Sequence, residues 1–508
     1  MPNISTGLPR RRAACVALIF AALALSAQAQ TAQRPNIVLL IVDDMGWGDM
    51  AAYGSPNLRT PQLDRMAAQG QRWTNFYMSS PVCSPSRAAM LTGRAETRSG
   101  LYGVRNGVVI ENDPYTSVAH ETTVATLLRG AGYATALFGK WHLGDSPPAY
   151  PTRHGFDRWW GTTMSNDAYF QGGITNDELR KMVAAGSTRE QVMGVFLKQA
   201  GDAFRKPSSK LWNVPLVRSE RREKGGDVTY IDETLERPID QVSYNERLTD
   251  QVVAYIEQKH SRPFFAWVGY EKPHLPHFAG PRFAGKSRAG MFGDVIEELD
   301  HSVGLVLEAI RRSPQAKNTL VVFVSDNGPW LLFEEFGGSA GPLRDGKGSS
   351  YEGGVRVPAL FWQPGTIAPA VVEGMGSGYD LLPTFAALAG APLPSAQLDG
   401  LDLQAVLRRQ APSPRLSMPF FSNGQLMAWR EGDWKLHFRE VSGRNYVRRK
   451  LPTPALYHLG RDPGEKFDQA DAEPAIVERL TQAALAFESS IAKAAPVFDR
   501  IGGAPPAR

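Results

Sequence analysis

Two pairs of oxygen-bearing side chains, Asp43-Asp44 and Asp326-Asn327, are the residues of this sequence best suited to hold a metal ion. Each pair follows a short apolar, β-branched run of the kind that forms a buried strand. Together they supply three carboxylates and one amide oxygen, a set of hard ligands that suits calcium or magnesium rather than zinc. Either pair alone is more simply interpreted as a helix or turn cap. The inference of one divalent cation therefore depends on the two pairs meeting.

Basic side chains elsewhere in the sequence could hold an anion beside that cation. Lys140 and His142 alternate along an extended segment, and Lys347 lies in the glycine-rich turn at 344–354. Arg87 is a fourth such group. Charged donors of this kind bind and stabilise oxyanions. The combined set predicts a site for a tetrahedral oxyanion.

Cys83 is one of only two cysteines in 508 residues. Ser84 and Pro85 resemble an N-cap and a first-turn proline, and they predict a helix over 85–91. Cys83 would then lie at the positive end of this helix, with Arg87 four residues further on. A buried structural role is commoner for a free thiol, but polar neighbours on both sides argue against it here.

The elements that must position these groups follow an α/β pattern. Apolar, β-branched runs at 36–42, 133–138, 263–268 and 319–324 predict strands, and helices are predicted between them, including 123–131 and 294–312. Each predicted strand is followed by residues able to do chemistry, and His274 follows the third. Ligands of open α/β sheets bind at the carboxyl ends of the strands. Four such ends meeting would be stronger evidence for a site than any single motif.

Two composition shifts divide the chain. Residues 175–245 are charged, with a basic stretch at 205–224 and no evident strand, and we interpret them as an inserted, surface-exposed region, with a solvated face favoured over a dedicated anion site. Pro412, Pro414 and Pro419 predict a linker at 409–419. Beyond it we expect a hairpin over 426–438, a strand over 455–459 and a helix over 473–494. The predicted domains are a catalytic domain at 30–410 and a small α+β domain at 411–508.

The amino terminus predicts export. A basic stretch ending at Arg12, an apolar stretch at 13–25 and the small-residue site around Ala29 form a signal peptide over 1–29. The apolar stretch is shorter than a membrane span, and no other span is expected. Removal of the signal takes Cys15 with it, so no internal disulfide is expected. The near-neutral charge of the remaining chain does not support nucleic-acid binding. The expected location is the bacterial periplasm, with secretion from the cell as the alternative.

Several ordered motifs resemble those of the sulfatases of the alkaline-phosphatase-like superfamily. The resemblance is carried by VDDMGWGDM, PVCSPSRAAMLTGR, GYATALFGKWHLG, VSDNGP, GKGSSYEGGVRVPAL and LYHLGRDPGEKF. It covers roughly residues 36–468 and is strongest for the arylsulfatase A and N-acetylgalactosamine-6-sulfatase branch. It implies an α/β/α sandwich with a central mixed sheet, followed by a smaller domain with an antiparallel sheet and a helix.

The resemblance also implies a modified residue. In such sulfatases a separate formylglycine-generating enzyme oxidises the signature cysteine, here Cys83, to Cα-formylglycine, whose hydrated aldehyde attacks the sulfur of the ester. The implied cofactors are this group and Ca²⁺, with Mg²⁺ as the alternative. The implied metal ligands are Asp43, Asp44, the modified Cys83, Asp326 and Asn327.

The remaining roles implied by the resemblance concern proton transfer and charge. Asp326 would act as the base for the attacking hydroxyl, and Arg87 would orient the modified side chain. Lys140 would bridge that side chain and a sulfate oxygen. His142 would deprotonate the second hydroxyl, so that sulfate is expelled and the aldehyde is restored.

The leaving alcohol and the substrate have their own implied residues. His274 and Lys347 would stabilise or protonate the leaving oxygen. His274 is preferred to His277 because it occupies the histidine position of the family's His-x-Pro motif, and Ser165 matches a sulfate-contacting serine of the arylsulfatase A branch. The expected substrate is an aryl sulfate or a sulfated saccharide. The alternatives are a phosphonate or phosphodiester hydrolase of the same superfamily, or a non-catalytic binder of sulfated glycans.

Overall fold

A computed structural model describes residue 2 and residues 34–499, except for 105–106, 110–117, 174–177, 179–180, 183, 445 and 447. The expected signal peptide therefore lies outside the described residues, apart from residue 2. Within the described chain the strands form two separate sheets, one of eleven strands and one of four.

The large sheet is mixed. Its hydrogen-bonded order is β10-β2-β9-β8-β1-β7-β3-β4-β5-β6, and β11 pairs with β2. Its strands are β1 (Asn36–Asp43), β2 (Gln71–Tyr77), β3 (Ala134–Gly139), β4 (Arg158–Gly161), β5 (Leu216–Lys224), β6 (Asp227–Glu236), β7 (Phe264–Pro273), β8 (Thr319–Ser325), β9 (Arg356–Trp362), β10 (Ala370–Val372) and β11 (Gly376–Ser377). The four strands β8-β1-β7-β3 are mutually parallel neighbours. All four strands predicted from the sequence are therefore present and adjacent.

Helices cover both faces of this sheet. They are α1 (Pro61–Gln69), α2 (Cys83–Thr92), α3 (Glu96–Ser99), α4 (Val124–Gly130), α5 (Arg189–Arg205), α6 (Gln241–Glu257), α7 (Gly290–Arg312), α8 (Glu352–Val355), α9 (Leu381–Ala389) and α10 (Gln404–Leu407). Side chains alternate across a strand, so β1 contributes to both layers. Ile37 and Leu39 pack with α2, α4 and α9, whereas Val38 and Leu40 pack with α1, α6 and α7. The predicted α/β/α sandwich is confirmed.

The expectation that residues 175–245 lack a strand is wrong. The segment contains α5 and the antiparallel pair β5 and β6, and β4 pairs with β5 to extend the main sheet. Gly225 and Gly226, both with positive φ, form the two-residue turn between the strands. The glycine pair was the available signal. It was obscured because β6 is largely exposed and its residues are mostly charged or polar.

The second sheet is antiparallel, in the order β12-β13-β14-β15. Its strands are β12 (Ser417–Ser422), β13 (Gln425–Glu431), β14 (Trp434–Val441) and β15 (Arg448–His458), and α11 (Pro474–Ser489) packs on them. The predicted hairpin, strand and closing helix are all present, but β15 begins seven residues before the predicted strand and α11 ends five residues before the predicted end. β12 begins inside the predicted linker at 409–419. Among the described helices, none is both long and apolar enough to cross a bilayer.

Candidate active site

The carboxyl ends of β8, β1, β7 and β3 bring the predicted residues to one edge of the sheet. Asp43 is the last residue of β1, and Asp326 follows β8, which pairs with β1 in parallel up to Val42 and Ser325. Lys140 follows β3, and His274 follows β7. Because these four strands are parallel neighbours, residues far apart in sequence meet at one edge.

Cys83 begins α2, which contributes the next part of the site. The expected capping role of Ser84 is wrong, because Val82 occupies the N-cap position and the Ser84 hydroxyl accepts a hydrogen bond from the Val109 amide at 3.1 Å. The Cys83 thiol is 1 % exposed and donates to Asp43 Oδ1 at 3.3 Å. The helix starts one turn before Arg87, so the arginine reaches the same cluster.

Carboxylates and cations alternate through the cluster. Arg87 Nε donates to Asp326 Oδ2 at 2.8 Å, and its Nη2 lies 3.9 Å from Asp43 Oδ2. Lys140 forms a short ion pair with Asp43, and Lys347 Nζ lies 2.8 Å from Asp44 Oδ2. These six side chains are all buried. Each buried charge thus has an opposite partner, as the cost of desolvating a charge requires.

This arrangement moves the pKa values of the acids in opposite directions. Burial alone would raise the pKa of Asp43, but the cations Lys140, Arg87 and Lys347 outweigh burial and hold this pKa well below its usual value. Burial and the neighbouring Asp43 carboxylate raise the pKa of Asp326. Burial and Asp43 also raise the pKa of the Cys83 thiol well above its usual value. The unmodified thiol is therefore protonated at neutral pH and is a poor nucleophile.

The residues present fit a divalent cation. Donor atoms of Asp43, Asp44, Cys83 and His274 lie within 4.8 Å of one another. Asn327 is fully buried, its Nδ2 donates to Asp44 Oδ1 at 2.7 Å, and its Oδ1 has no hydrogen-bond partner among the described residues. Such an unsatisfied oxygen beside crowded carboxylates is suited to a hard cation.

His274 and Lys347 form a second pair on the margin of the cluster. Lys347 Nζ donates to His274 Nε2 at 3.0 Å, and His274 Nδ1 donates to the Leu275 carbonyl at 2.5 Å. Burial alone would lower the pKa of Lys347, but Asp44 and other neighbouring groups raise it well above its usual value. Lys347 is therefore the charged proton donor of the pair. His277 instead contacts the Pro273 carbonyl and packs against Phe292.

His142 and Ser165 are less directly joined to the cluster. His142 Nε2 donates to the Val109 carbonyl at 3.2 Å, which leaves Nδ1 as the acceptor, and Nδ1 has no partner among the described residues. Burial and nearby Lys140 lower the pKa of His142 well below its usual value, so the ring is neutral. Ser165 is buried at the start of a short 3₁₀ helix, Asn166–Tyr169. The described hydrogen bonds of the cluster do not extend to Ser165.

Two residues beside the site were not predicted. Trp330 is 3 % exposed, its ring centroid is 4.2 Å from Lys347 Nζ, and it lies 5.1 Å from the centroid of the His274 ring. Glu271 is buried on β7 and accepts a short hydrogen bond from Thr162, and burial raises its pKa to about 7. From sequence alone, a tryptophan after a polar motif is expected to be an ordinary core residue, and a carboxylate within a strand is expected to face solvent. Only the structure brings them to the site.

Comparisons with known proteins agree with this geometry. A family model described as sulfatase matches residues 35–391, and one described as the C-terminal region of aryl-sulfatase matches residues 413–505. The chain is 36 % identical to arylsulfatase A of Homo sapiens, over 91 % of this chain and 89 % of the relative. It is 34 % identical to N-acetylgalactosamine-6-sulfatase of Mus musculus, over 95 % of this chain and 92 % of the relative.

A solved structure gives the same result for the fold. The crystal structure of the PsFucS1 sulfatase from Pseudoalteromonas sp. superposes with a TM-score of 0.76 at 29 % identity, and the match covers 96 % of each chain. The matches in sequence and in structure both extend over the catalytic sheet and the small antiparallel sheet. This chain belongs to the sulfatase family.

Proposed function

We propose that this protein hydrolyses sulfate esters to an alcohol and inorganic sulfate, with a sulfated saccharide or an aryl sulfate as substrate. The observation that carries the proposal is the buried cluster in which Cys83 meets three carboxylates, three cationic side chains and His274. The names of the relatives, arylsulfatase A and N-acetylgalactosamine-6-sulfatase, support the same reaction class. The alternation of charge suits a site that must hold both a divalent cation and a sulfate group.

Two groups complete the proposed site: Cα-formylglycine made from Cys83, and Ca²⁺, with Mg²⁺ as the alternative. The ligands of the cation would be Asp43, Asp44, Asp326, Asn327 and residue 83. When present, the two groups together supply an activated oxygen nucleophile and a Lewis acid. The raised pKa of the Cys83 thiol supports this role, because a protonated, buried thiol is better understood as a precursor than as a nucleophile.

The chain's own residues would hold the sulfate group and its charge. Arg87 orients residue 83 and fixes Asp326 through the 2.8 Å hydrogen bond from Nε. Lys140 is placed by Asp43 to contact a sulfate oxygen, and Ser165 is the proposed further contact. Asp326, which Arg87 holds in place, would accept the proton of the attacking hydroxyl.

Protons on the leaving side are assigned to three further residues. Lys347 donates a proton to the leaving oxygen, and His274 holds the Lys347 ammonium through its Nε2 lone pair. His142 is neutral, and its Nδ1, which has no partner in the described part of the chain, can accept a proton when sulfate is released. His274 contacts a backbone carbonyl through Nδ1, whereas His142 does so through Nε2. The two rings therefore present different nitrogens to the site, and they act at different steps.

The proposed setting follows from the predicted signal peptide. The chain is exported, with the bacterial periplasm as its compartment, and a formylglycine-generating enzyme acts on it before folding is complete. Burial of Cys83 supports the second point, because a thiol that is 1 % exposed is closed to another enzyme once α2 has packed.

The proposal is tested by rates on paired substrates. The full-length chain is produced in a host that contains a formylglycine-generating enzyme, and nitrophenyl sulfate is compared with a nitrophenyl phosphodiester. Faster release of nitrophenol from the sulfate, abolished in Cys83→Ala, supports the proposal. Faster turnover of the phosphodiester would reassign the chain to phosphoryl esters. Binding of a sulfated glycan without turnover of either substrate would identify a non-catalytic binder.

A further inference from the structure

Trp330 forms one wall of the Lys347 and His274 pair. The Lys347 ammonium is 4.2 Å from the centre of the indole ring, which is within the range of a cation–π interaction. The same ring lies 5.1 Å from the His274 ring, with 50° between the planes. Because Trp330 and Lys347 are both buried, little water is present to weaken this attraction.

The segment that carries Trp330 also holds the backbone of Lys347. The Pro329 carbonyl accepts a hydrogen bond from the Lys347 amide at 2.8 Å, and the Gly328 amide donates to the Gly354 carbonyl at 3.0 Å. This segment begins directly after Asp326 and Asn327. Residues 328–330 therefore connect the proposed metal ligands to the Lys347 and His274 pair that faces the leaving group.

Aromatic neighbours fix the orientation of the Trp330 ring. Phe333 contacts it edge to face at 4.7 Å, and Phe204 from α5 contacts Phe333 at 4.9 Å and Trp330 at 6.3 Å. Such edge-to-face pairs restrict ring rotation. The ring is thus a fixed surface, and Lys347 is the flexible side chain that it holds.

Three contacts then define where the Lys347 ammonium can lie. Asp44 Oδ2 is at 2.8 Å, His274 Nε2 is at 3.0 Å, and the indole ring closes another side. A lysine side chain has four rotatable bonds, and without the ring two polar contacts alone would restrain it. Its position relative to a leaving oxygen would become less defined.

We propose that Trp330 is a positioning residue that holds Lys347 against His274, in place to protonate the leaving oxygen, and this inference rests on the proposed function. In that step the bond between sulfur and the leaving oxygen breaks while the attacking oxygen bonds to sulfur. The electron pair stays on the leaving oxygen, which takes a proton from the Lys347 ammonium, and Lys347 becomes a neutral amine. Trp330 touches neither the sulfur nor the leaving oxygen in this scheme.

The dependence of rate on the leaving group distinguishes positioning from a general structural role. Nitrophenolate leaves readily without a proton, whereas phenolate and sugar alkoxides gain much more from general acid catalysis. For Trp330→Leu we expect kcat/KM to fall on the order of tenfold or more for phenyl sulfate. For nitrophenyl sulfate the fall should be less than about threefold. Trp330→Phe retains an aromatic face and should recover most of the activity on phenyl sulfate.

Trp73→Leu is the matched control. Trp73 and Trp330 are both buried, and in both the indole N–H has no hydrogen-bond partner among the described residues, but Trp73 lies on β2 and packs with Phe76 and Phe361 of the sheet. The control should lower activity on both substrates by one common factor. An equal loss on both substrates in Trp330→Leu, or no loss in either, would overturn the inference. If the wild-type protein releases no sulfate, the proposed function fails instead, and the same variants on phosphodiesters with the same two leaving groups decide the role of Trp330.

Discussion

Glu465 joins the small domain to the turn that carries Lys347, and its replacement gives a quantitative test of that contact. Glu465 Oε1 accepts from His437 Nε2 at 2.7 Å and lies 3.3 Å from Lys435 Nζ, while Oε2 accepts from the Glu352 amide at 2.6 Å. Glu352 begins α8, five residues after Lys347. All of these side chains are fully buried.

Glu465→Gln keeps the size of the side chain but removes its charge. The new amide can accept on only one side, so its NH₂ group must face either the Lys435 and His437 donors or the Glu352 amide. Breaking a buried ion pair costs about 3–5 kcal/mol. Lys435 retains Glu352 as a partner at 2.8 Å, so we expect a loss near the lower limit, about 3 kcal/mol of unfolding free energy.

Urea unfolding at neutral pH measures this loss through the unfolding midpoint and slope. Glu478→Gln, the same change at an exposed position of α11, should stay within about 0.5 kcal/mol of the wild type. The kcat of Glu465→Gln should also fall, because the turn before α8 loses its support. An unfolding midpoint no different from that of Glu478→Gln would show that the Glu465 carboxylate does not stabilise the fold.

Three further outcomes are expected. Glu96 is buried against Ser79, and burial raises its pKa to about 7. Glu96 therefore stabilises the folded state fully when the pH is below the pKa of this carboxyl in the unfolded chain, and the stabilisation is lost as pH rises through 7. The unfolding free energy of the wild type should fall more than that of Glu96→Gln between about pH 5 and about pH 8, and parallel profiles would contradict this. His274→Ala should lower kcat for phenyl sulfate by about 10²-fold or more. His277→Ala alters packing near Phe292 and should chiefly lower the melting temperature. The reverse pattern would exchange the roles of the two histidines. A chelator should lower sulfate release by at least about a hundredfold, with recovery on addition of Ca²⁺, because a Lewis acid supplies several kcal/mol; full activity after exhaustive chelation would exclude a required cation.

The core of the site could be predicted because its residues follow apolar strands. A β-branched run followed by Asp43, Lys140 or Asp326 marks both the strand and its carboxyl end. Because the strands are parallel neighbours, their carboxyl ends lie together, and the strand pattern is enough to predict that these residues meet. The expected position of Cys83 at the start of a helix also came from local signals, although α2 begins at Cys83 itself rather than after a serine cap.

The remaining contacts depend on residues that are distant in sequence. Glu352 and Glu465 lie 113 residues apart in sequence. Both belong to motifs that resemble those of the family, but the resemblance alone does not show that the two residues contact each other. Trp330 follows a polar motif and resembles ordinary core. The hairpin of β5 and β6 was missed because exposed strands lack the apolar alternation that marks buried ones.

We propose that residue 83, as formylglycine, is the source of sulfatase activity. The most direct test measures sulfate release and the mass of the tryptic peptide 73–87 on the same preparation. We predict that sulfate release rises in proportion to the fraction of peptide that carries the aldehyde in place of the thiol. Full activity in a preparation whose peptide contains only unmodified Cys83 would contradict the account.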